Sequence, residues 1–301
     1  MLATDGARRA AIEVLARRLA GRAIGVVLSG GGARAFAHLG VLEVLEEEGI
    51  RIDRLGGASL GALVAAASAS GLGPEETYRG FERTFVQTNP SNDFTWPAYS
   101  LIRGAKTRRR LLDEFGDSRI EALPKRYFCT SSDLLARESV VHRIGPLREA
   151  VYASMALPGI FPPVRTADGR LLVDGGVLDN LPVAEMARSL EGPVIAVDVT
   201  GRLRQAGRPS RPGITRLGRP VRRFLTGSEA QIPRLGETVM RTVTAASRDS
   251  VAAAKEHADV VIHPAVDSIG LMEFGRLAEV RETGRRAARA ALAGLPSGIL
   301  G

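Results

Sequence analysis

The sequence predicts an α/β fold, a mainly parallel sheet layered between helices, and three observations carry that expectation. Short apolar runs such as residues 24–28, 54–58 and 194–200 alternate with longer stretches of helical spacing. Two of these runs end in glycine-rich turns that open directly into helical sequence, Ser29-Gly30-Gly31-Gly32-Ala33-Arg34 and Gly57-Ala58-Ser59-Leu60-Gly61. A chain of 301 residues, 45% of them hydrophobic, is also within the range of one large α/β domain with a substantial core.

In chain order, Ile12, Leu15, Ala16 and Leu19 stand at helical spacing among arginines at 8, 9, 17 and 18, which predicts an amphipathic basic helix over residues 1–20. Its narrow apolar stripe is expected to pack on the domain, with a bilayer interface as the alternative. The other elements belong to one domain, residues 21–293, followed by a tail, 294–301. Strand 24–28 leads into helix 36–48, and strand 54–58 into helix 60–70 with a helical region on to residue 83. An irregular loop over 88–99, with two Asn, two Pro and the one Trp, precedes a basic helix over 107–115, a hairpin over 127–144 and a helix over 145–153. Then come the strand ending at Asp174, helix 182–190, strand 194–200, and two C-terminal helices flanking strand 259–263.

Ser59 is the sharpest chemical signal. It stands at a strand-to-helix junction with Gly57 two residues before it and Gly61 two after. Such a nucleophile elbow holds a hydroxyl in a strained turn, and the two glycines remove side chains that would collide there. The following helix would aim its N-terminal amides at developing negative charge. Upstream, Gly30, Gly31 and Gly32 expose further N–H groups, which either cradle a phosphate or hold the oxyanion of an acyl intermediate. The phosphate reading has Asp53 as its ribose acid. Against it, Ala35 stands where that fingerprint needs its third glycine, and Asp53 precedes the second strand instead of ending it.

Asp174 ends the apolar run Leu171-Leu172-Val173 and is followed by Gly175 and Gly176. Asp-Gly alone marks a turn. If this strand lies near that of Ser59, however, the carboxylate would take the serine proton directly. Histidine, the usual base, is poorly placed, with His38 inside the first helix and His142 on a hairpin strand. His257 and His263 do follow Ser59 and Asp198 in the order Ser, acid, His, so a triad stays open, though it leaves Asp174 without a role.

The glycine loop with Arg34, the Gly-Ala-Ser-Leu-Gly elbow and the Asp-Gly-Gly turn, in this order, resemble the patatin-like phospholipase domain. Residues 153–163 and 174–182 extend the likeness, which is closest to bacterial relatives of the neuropathy target esterase catalytic domain and runs from about Leu19 to near Ala291. The resemblance implies a three-layer patatin-like sandwich with a Ser–Asp dyad, Ser59 as nucleophile and Asp174 as base. It further implies an oxyanion hole at Gly30, Gly31 and Gly32, with Arg34, Gly57, Gly61, Gly175, Gly176 and Asn180 in support and no cofactor. The implied reaction is two-step hydrolysis of a phospholipid or lysophospholipid acyl ester. An acyltransferase using the same acyl-enzyme, and a weakly catalytic or non-catalytic membrane-associated lipid-binding protein, are the alternatives. Ala35 stands where the family loop usually carries glycine, and its methyl is expected to tighten the helix start. An ordinary aspartate is a weak base for a hydroxyl, so partial burial is expected to raise the Asp174 pKa.

Composition narrows the partners. Forty-one basic and 33 acidic residues leave a net charge of +8. Residues 201–228 hold eight arginines and no acid, which predicts a mobile cationic insertion able to contact anionic lipid head groups, each arginine contributing up to about 1 kcal/mol. Arg103 to Arg110 would extend that patch onto a peripheral membrane surface. No groove-reading motif or aromatic stacking platform accompanies the charge, which argues against nucleic acid. Cys129, the one cysteine, rules out an intramolecular disulfide and reads as core. No run approaches the ~18 apolar residues of a membrane span, and no His/Cys/Asp/Glu spacing fits a metal site. The expected location is cytoplasmic, at most peripheral to the inner membrane face.

Overall fold

In the computed structural model, residues 5–88, 93–96, 100–200, 248–295 and 299 are described. The strands are β1 (Ile24–Leu28), β2 (Ile52–Ala58), β3 (Arg126–Asp133), β4 (Glu138–His142), β5 (Val164–Arg165), β6 (Leu171–Asp174), β7 (Val194–Val197) and β8 (Val260–Ile262). The α-helices are α1 (Asp5–Leu19), α2 (Ala37–Glu47), α3 (Ser59–Ala69), α4 (Pro74–Phe81), α5 (Ala105–Phe115), α6 (Leu147–Ser154), α7 (Val183–Ala187), α8 (Arg248–Lys255) and α9 (Leu277–Ala293). All eight strands join one sheet, with β3, β2, β1, β7 and β8 parallel and β4, β5 and β6 antiparallel additions around β3.

β1 reads as an unbroken apolar run because both of its faces are covered. Val26 and Leu28 enter the main core with Leu39 and Val41 of α2, Val64 of α3 and Val280 of α9. Val27 points the other way, into a smaller core with Val183 and Met186 of α7 and Val251 of α8. The period-two alternation of a strand thus feeds two helical layers, giving the expected three-layer sandwich. On the main-core side α2 and α9 cross closely at two glycines. A Cβ on Gly284 would lie 1.9 Å from the Ala37 carbonyl oxygen, and one on Gly40 2.0 Å from that of Arg281. Glu43, buried at this crossing, receives Arg281 at 2.6 Å and Arg285 at 2.7 Å.

β3 decides where the sheet brings distant residues together. Cys129 pairs with Gly57 of β2 and also with His142 of β4, so those two strands lie on opposite edges of β3. Ser131 pairs with Val140 of β4 and also with Asp174 of β6, which places β6 on the β2 edge. β2 therefore runs along that edge in parallel to Ala58, opposite Thr130, and β6 descends the same edge in the opposite sense to Asp174, opposite Ser131.

Several boundaries differ from the sequence expectation for local reasons. The helix expected over 36–48 is preceded by a 3-10 turn, Gly32–Phe36, in which Arg34 N–H already bonds the Gly31 carbonyl. β2 begins at Ile52, so Asp53 lies inside the strand, where its carboxylate accepts Ile24 N–H and Arg17, each at 3.0 Å. After α4 the helix widens into a π-turn, Glu82–Gln87. The helix expected over 182–190 stops at Ala187, ahead of Leu190 at φ 54°. On α1 the stripe of Ile12, Leu15 and Leu19 is exposed, and the helix is held instead by Arg17 on Asp53 and Arg18 on Glu191. The cationic segment 201–228 and most of the tail 294–301 lie outside the described residues. Among the described residues no helix is long and apolar enough to cross a membrane.

Candidate active site

Ser59 is the first residue of α3 and follows Ala58, which is extended at φ −127° and ψ 151°. The chain reverses from strand to helix within one residue, and Ser59 takes up the turn at φ 54°, a left-handed conformation that is strained for a side chain. Two close approaches make the turn possible. A Cβ on Gly61 would meet the Leu28 and Ser29 carbonyl oxygens at 2.4 and 2.5 Å, and one on Gly57 would meet Leu28 oxygen at 2.7 Å. Both glycines of the elbow are thus required by the packing of α3 against the end of β1.

The hydroxyl of Ser59 donates to Asp174 Oδ2 at 2.7 Å. The second carboxylate oxygen, Oδ1, accepts Gly176 N–H at 2.8 Å. Asp174 is buried, and burial pushes its carboxyl up to about 6 against the opposing pull of the Ser59 and Gly176 hydrogen bonds. Gly175 lets the turn after β6 pass over β3, since its Cβ would stand 2.3 Å from the Thr130 carbonyl oxygen. Asp179, close behind in sequence, is also raised to about 6 by burial, with Glu185 adding to the shift.

The glycine loop lies directly against the serine. A Cβ on Gly30 would fall 2.8 Å from Ser59 Cβ and 2.5 Å from Asn180 Oδ1. Gly30 N–H donates to the Asn180 carbonyl at 3.3 Å, and Asn180 Nδ2 returns a long bond to the Gly30 carbonyl at 3.4 Å. The N–H groups of Gly31 and Gly32 have no hydrogen-bond partner among the described residues. Gly32 turns left-handed at φ 54°, and Ala33 N–H is anchored on Leu271 oxygen at 2.9 Å. Arg34 clamps the loop from outside, its Nε donating to the Ile269 carbonyl at 2.8 Å and Nη1 to that of Thr200 at 2.7 Å. Ala35 is fully buried in the 3-10 turn.

No histidine reaches this cluster among the described residues. His38 Nε2 contacts the Ser29 carbonyl at 2.8 Å, and burial lowers its pKa to about 4. His142 Nε2 meets Ser131 Oγ at 2.7 Å and is likewise lowered to about 4 by burial. The triad alternative is not assembled: Asp198 binds Lys255 at 2.6 Å and stands 3.6 Å from His263 Nδ1, but the Ser59 hydroxyl is engaged by Asp174 and meets no histidine among the described residues. Nor does Asp53 approach the glycine loop. It sits at the opposite end of the sheet, beside a cavity of about 800 Å³ lined by residues such as Leu39, Leu42, Leu72 and Lys125.

Ser154 is the residue that sequence reasoning missed. Its buried Oγ, at the end of α6, accepts Ser59 N–H at 3.0 Å. The only hint in the sequence is its place in the segment 153–163, where nothing local indicates that the helix end faces the elbow.

A family model described as patatin-like phospholipase matches residues 26–187. An uncharacterised NTE-family protein of Mycobacterium tuberculosis is 39% identical over 287 residues, covering 94% of this chain and 48% of that protein. The lysophospholipase NTE1 of Saccharomyces cerevisiae is 34% identical over 290 residues, covering 93% of this chain and 17% of that protein. This chain therefore spans about half the length of the mycobacterial relative, 48%. Among solved structures, VipD from Legionella pneumophila is similar at 14% identity and a TM-score of 0.49, over 90% of this chain and 67% of that one.

Proposed function

Because the chain belongs to the patatin-like phospholipase family, we propose that it is a serine acyl hydrolase in which Ser59 attacks and Asp174 carries the proton. The observation that carries this reading is the 2.7 Å hydrogen bond from the half-buried Ser59 hydroxyl to Oδ2 of the buried Asp174, with no histidine in contact among the described residues. As Ser59 Oγ bonds to the acyl carbon, Asp174 takes the hydroxyl proton. The Gly31 and Gly32 amides face the resulting oxyanion, each donor contributing roughly 3–4 kcal/mol in the transition state. Gly30 lets the loop approach the serine, and Arg34 fixes the loop through two carbonyls.

Collapse of the intermediate breaks the bond to the alcohol, which leaves with the proton held by Asp174. Water then attacks the acyl-enzyme, gives a proton to Asp174, and releases the fatty acid as Ser59 regains its hydrogen. Fatty acyl esters of phospholipids or lysophospholipids are the substrates this reading favours, supported by the family description and by the naming of the yeast relative as a lysophospholipase. Such substrates bring the enzyme to a lipid surface as a peripheral protein.

Ser59→Ala is expected to abolish both fatty acid release from a lipid panel and labelling by a fluorophosphonate probe, with an unchanged circular dichroism spectrum. Labelling retained in that variant rejects Ser59 as the nucleophile.

A further inference from the structure

The chain has a single tryptophan, Trp96, and it is 87% exposed; Phe94, two residues earlier, is 73% exposed. Large aromatic side chains held in water at that exposure mark a surface that meets a partner. The pair is firmly mounted. Thr95 N–H donates to the Leu101 carbonyl at 3.1 Å and Arg103 N–H to that of Asp93 at 2.9 Å. Leu101 and Ile102 in turn donate to the Gly159 and Ile160 carbonyls at 2.9 and 3.1 Å. The same 156–160 segment accepts Asp174 N–H on the Ala156 carbonyl at 2.9 Å. The aromatic pair is thus tied by backbone hydrogen bonds to the wall that carries Asp174.

Beside it stands a cationic groove. Asp93 Oδ2 accepts the backbone N–H of Lys106 at 3.1 Å, which fixes the aromatic segment to the start of α5. Lys106, Arg109, Arg110 and Asp113 of α5, with Thr88, line a groove of about 410 Å³. Their spacing of three and four residues puts them on one helical face. Asp113 pairs with Arg109 at 3.2 Å and Asp93 stands at the start of α5, so two carboxylates stand against three cations and the groove keeps a positive excess. A positive groove alone would suit any anion. Adjacent exposed aromatics select an anion set in an apolar boundary, because tryptophan is favoured at the head-group level of a bilayer.

We propose that Phe94, Trp96 and the α5 groove form the face by which the enzyme docks on an anionic lipid surface, with lipid phosphates in the groove and the two aromatic rings at the interface. The inference rests on the reading that the substrate is a lipid, and it adds the surface from which that lipid is taken. Each cation near the surface is expected to strengthen binding about fivefold.

The single tryptophan makes the test direct, since its emission reports this face alone. On vesicles of phosphatidylglycerol and phosphatidylcholine the emission is expected to shift to the blue and to be quenched by brominated acyl chains. Phosphatidylcholine alone should have little effect, and added salt should reverse the shift. In co-sedimentation, the combined Lys106→Glu, Arg109→Glu and Arg110→Glu variant should lose on the order of a hundredfold in partition, and Trp96→Ala about tenfold. Turnover of a soluble short-chain ester should stay within twofold in both, because none of these residues touches the dyad. An unshifted emission on vesicles that do sediment the protein would overturn the proposal, as would a failure of anionic vesicles to sediment it. Missing turnover of the soluble ester in the parent protein rejects the hydrolase reading instead, and the emission shift still decides the docking face.

Discussion

Ser59 and Asp174, 115 positions apart in the chain, meet because one edge of β3 presents them on consecutive rungs. Thr130 pairs with Ala58, the residue before the serine, and Ser131 pairs with Asp174. Two strands running in opposite senses end against each other on that edge, and each delivers one member of the pair. The geometry of the Ser59–Asp174 pair is therefore a property of strand register, and a slip of one residue in β6 would turn the carboxylate to the other face of the sheet.

The first prediction concerns pH. Burial raises the Asp174 carboxyl to about 6, and a base acts in its ionised form. Soluble-ester kcat/KM is expected to climb through about pH 6 to a plateau and to fall away on the acid side. Asp179, raised to a similar value by burial, makes no contact with Ser59, so Asp179→Asn should leave the inflection in place. A profile that stays flat between pH 4.5 and 8 would exclude Asp174 as the base.

The same burial has a stability consequence of definite sign. The folded-state pKa lies above the ordinary value of 3.8, so the folded protein holds the proton more tightly than the unfolded chain does. That contribution is complete below 3.8 and disappears as pH rises through about 6. Asp174→Asn escapes the loss, so its stability relative to the parent should improve by up to about 3 kcal/mol between pH 4 and pH 8, while turnover falls by roughly two to four orders of magnitude. Urea midpoints at the two pH values check this, and a pH-independent difference between the proteins would contradict it.

Ser154 acts on the elbow through its hydrogen bond to Ser59 N–H. Ser154→Ala leaves that buried donor unpaired, at a cost of about 1–3 kcal/mol in stability. Because the elbow loses its tether, kcat should drop about tenfold with KM nearly unchanged. Ser154→Thr, which keeps the acceptor, should restore most of the rate. Equal loss in both variants would point to packing and not to positioning.

Backbone strain at Ser59 gives a prediction independent of chemistry. At φ 54° a side chain costs roughly 1–2 kcal/mol relative to glycine. Two inactive variants should therefore differ in stability, with Ser59→Gly unfolding at a higher temperature than Ser59→Ala. Calorimetry that ranks Ser59→Ala higher would mean that the turn is not strained.

At the α2–α9 crossing, Gly284→Ala places a methyl within 1.9 Å of the Ala37 carbonyl oxygen. A destabilisation on the order of 3 kcal/mol is expected. Any variant that remains folded should keep the parent's soluble-ester kcat, since the crossing touches neither Ser59 nor Asp174. A chemical denaturation curve with the parent midpoint would contradict the close approach.

Much of the fold and the site could be read locally. Apolar runs and helical spacing located β1, α3 and α5 to within a few residues and bracketed the β3–β4 hairpin, because burial on one or two faces leaves a periodic trace. The elbow was legible because only glycine tolerates the contacts at positions 57 and 61, and the turn after Asp174 because Gly175 must pass over Thr130. Two-residue β5 and the π-turn after α4 were not legible, since so short a pairing and so slight a change of helical winding leave no periodicity to detect. The exposed apolar stripe of α1 also departed from expectation. Spacing states which residues share a face, while the arginine contacts to Asp53 and Glu191 choose which face turns inward.

By itself the sequence determined the chemistry available at each position: a serine in a turn that only neighbouring glycines permit, an acid at a strand end, and a run of backbone donors after the first strand. The tertiary structure alone decided their companions. It set Asp174 beside Ser59, gave Ser154 to the elbow, and left Asp198 with Lys255 and His263 apart from that pair. The reason is physical. A turn or a periodic face is specified by residues within a few positions of one another, whereas the meeting of two strand ends depends on the register of both against a third, and that register emerges only when the whole sheet is packed.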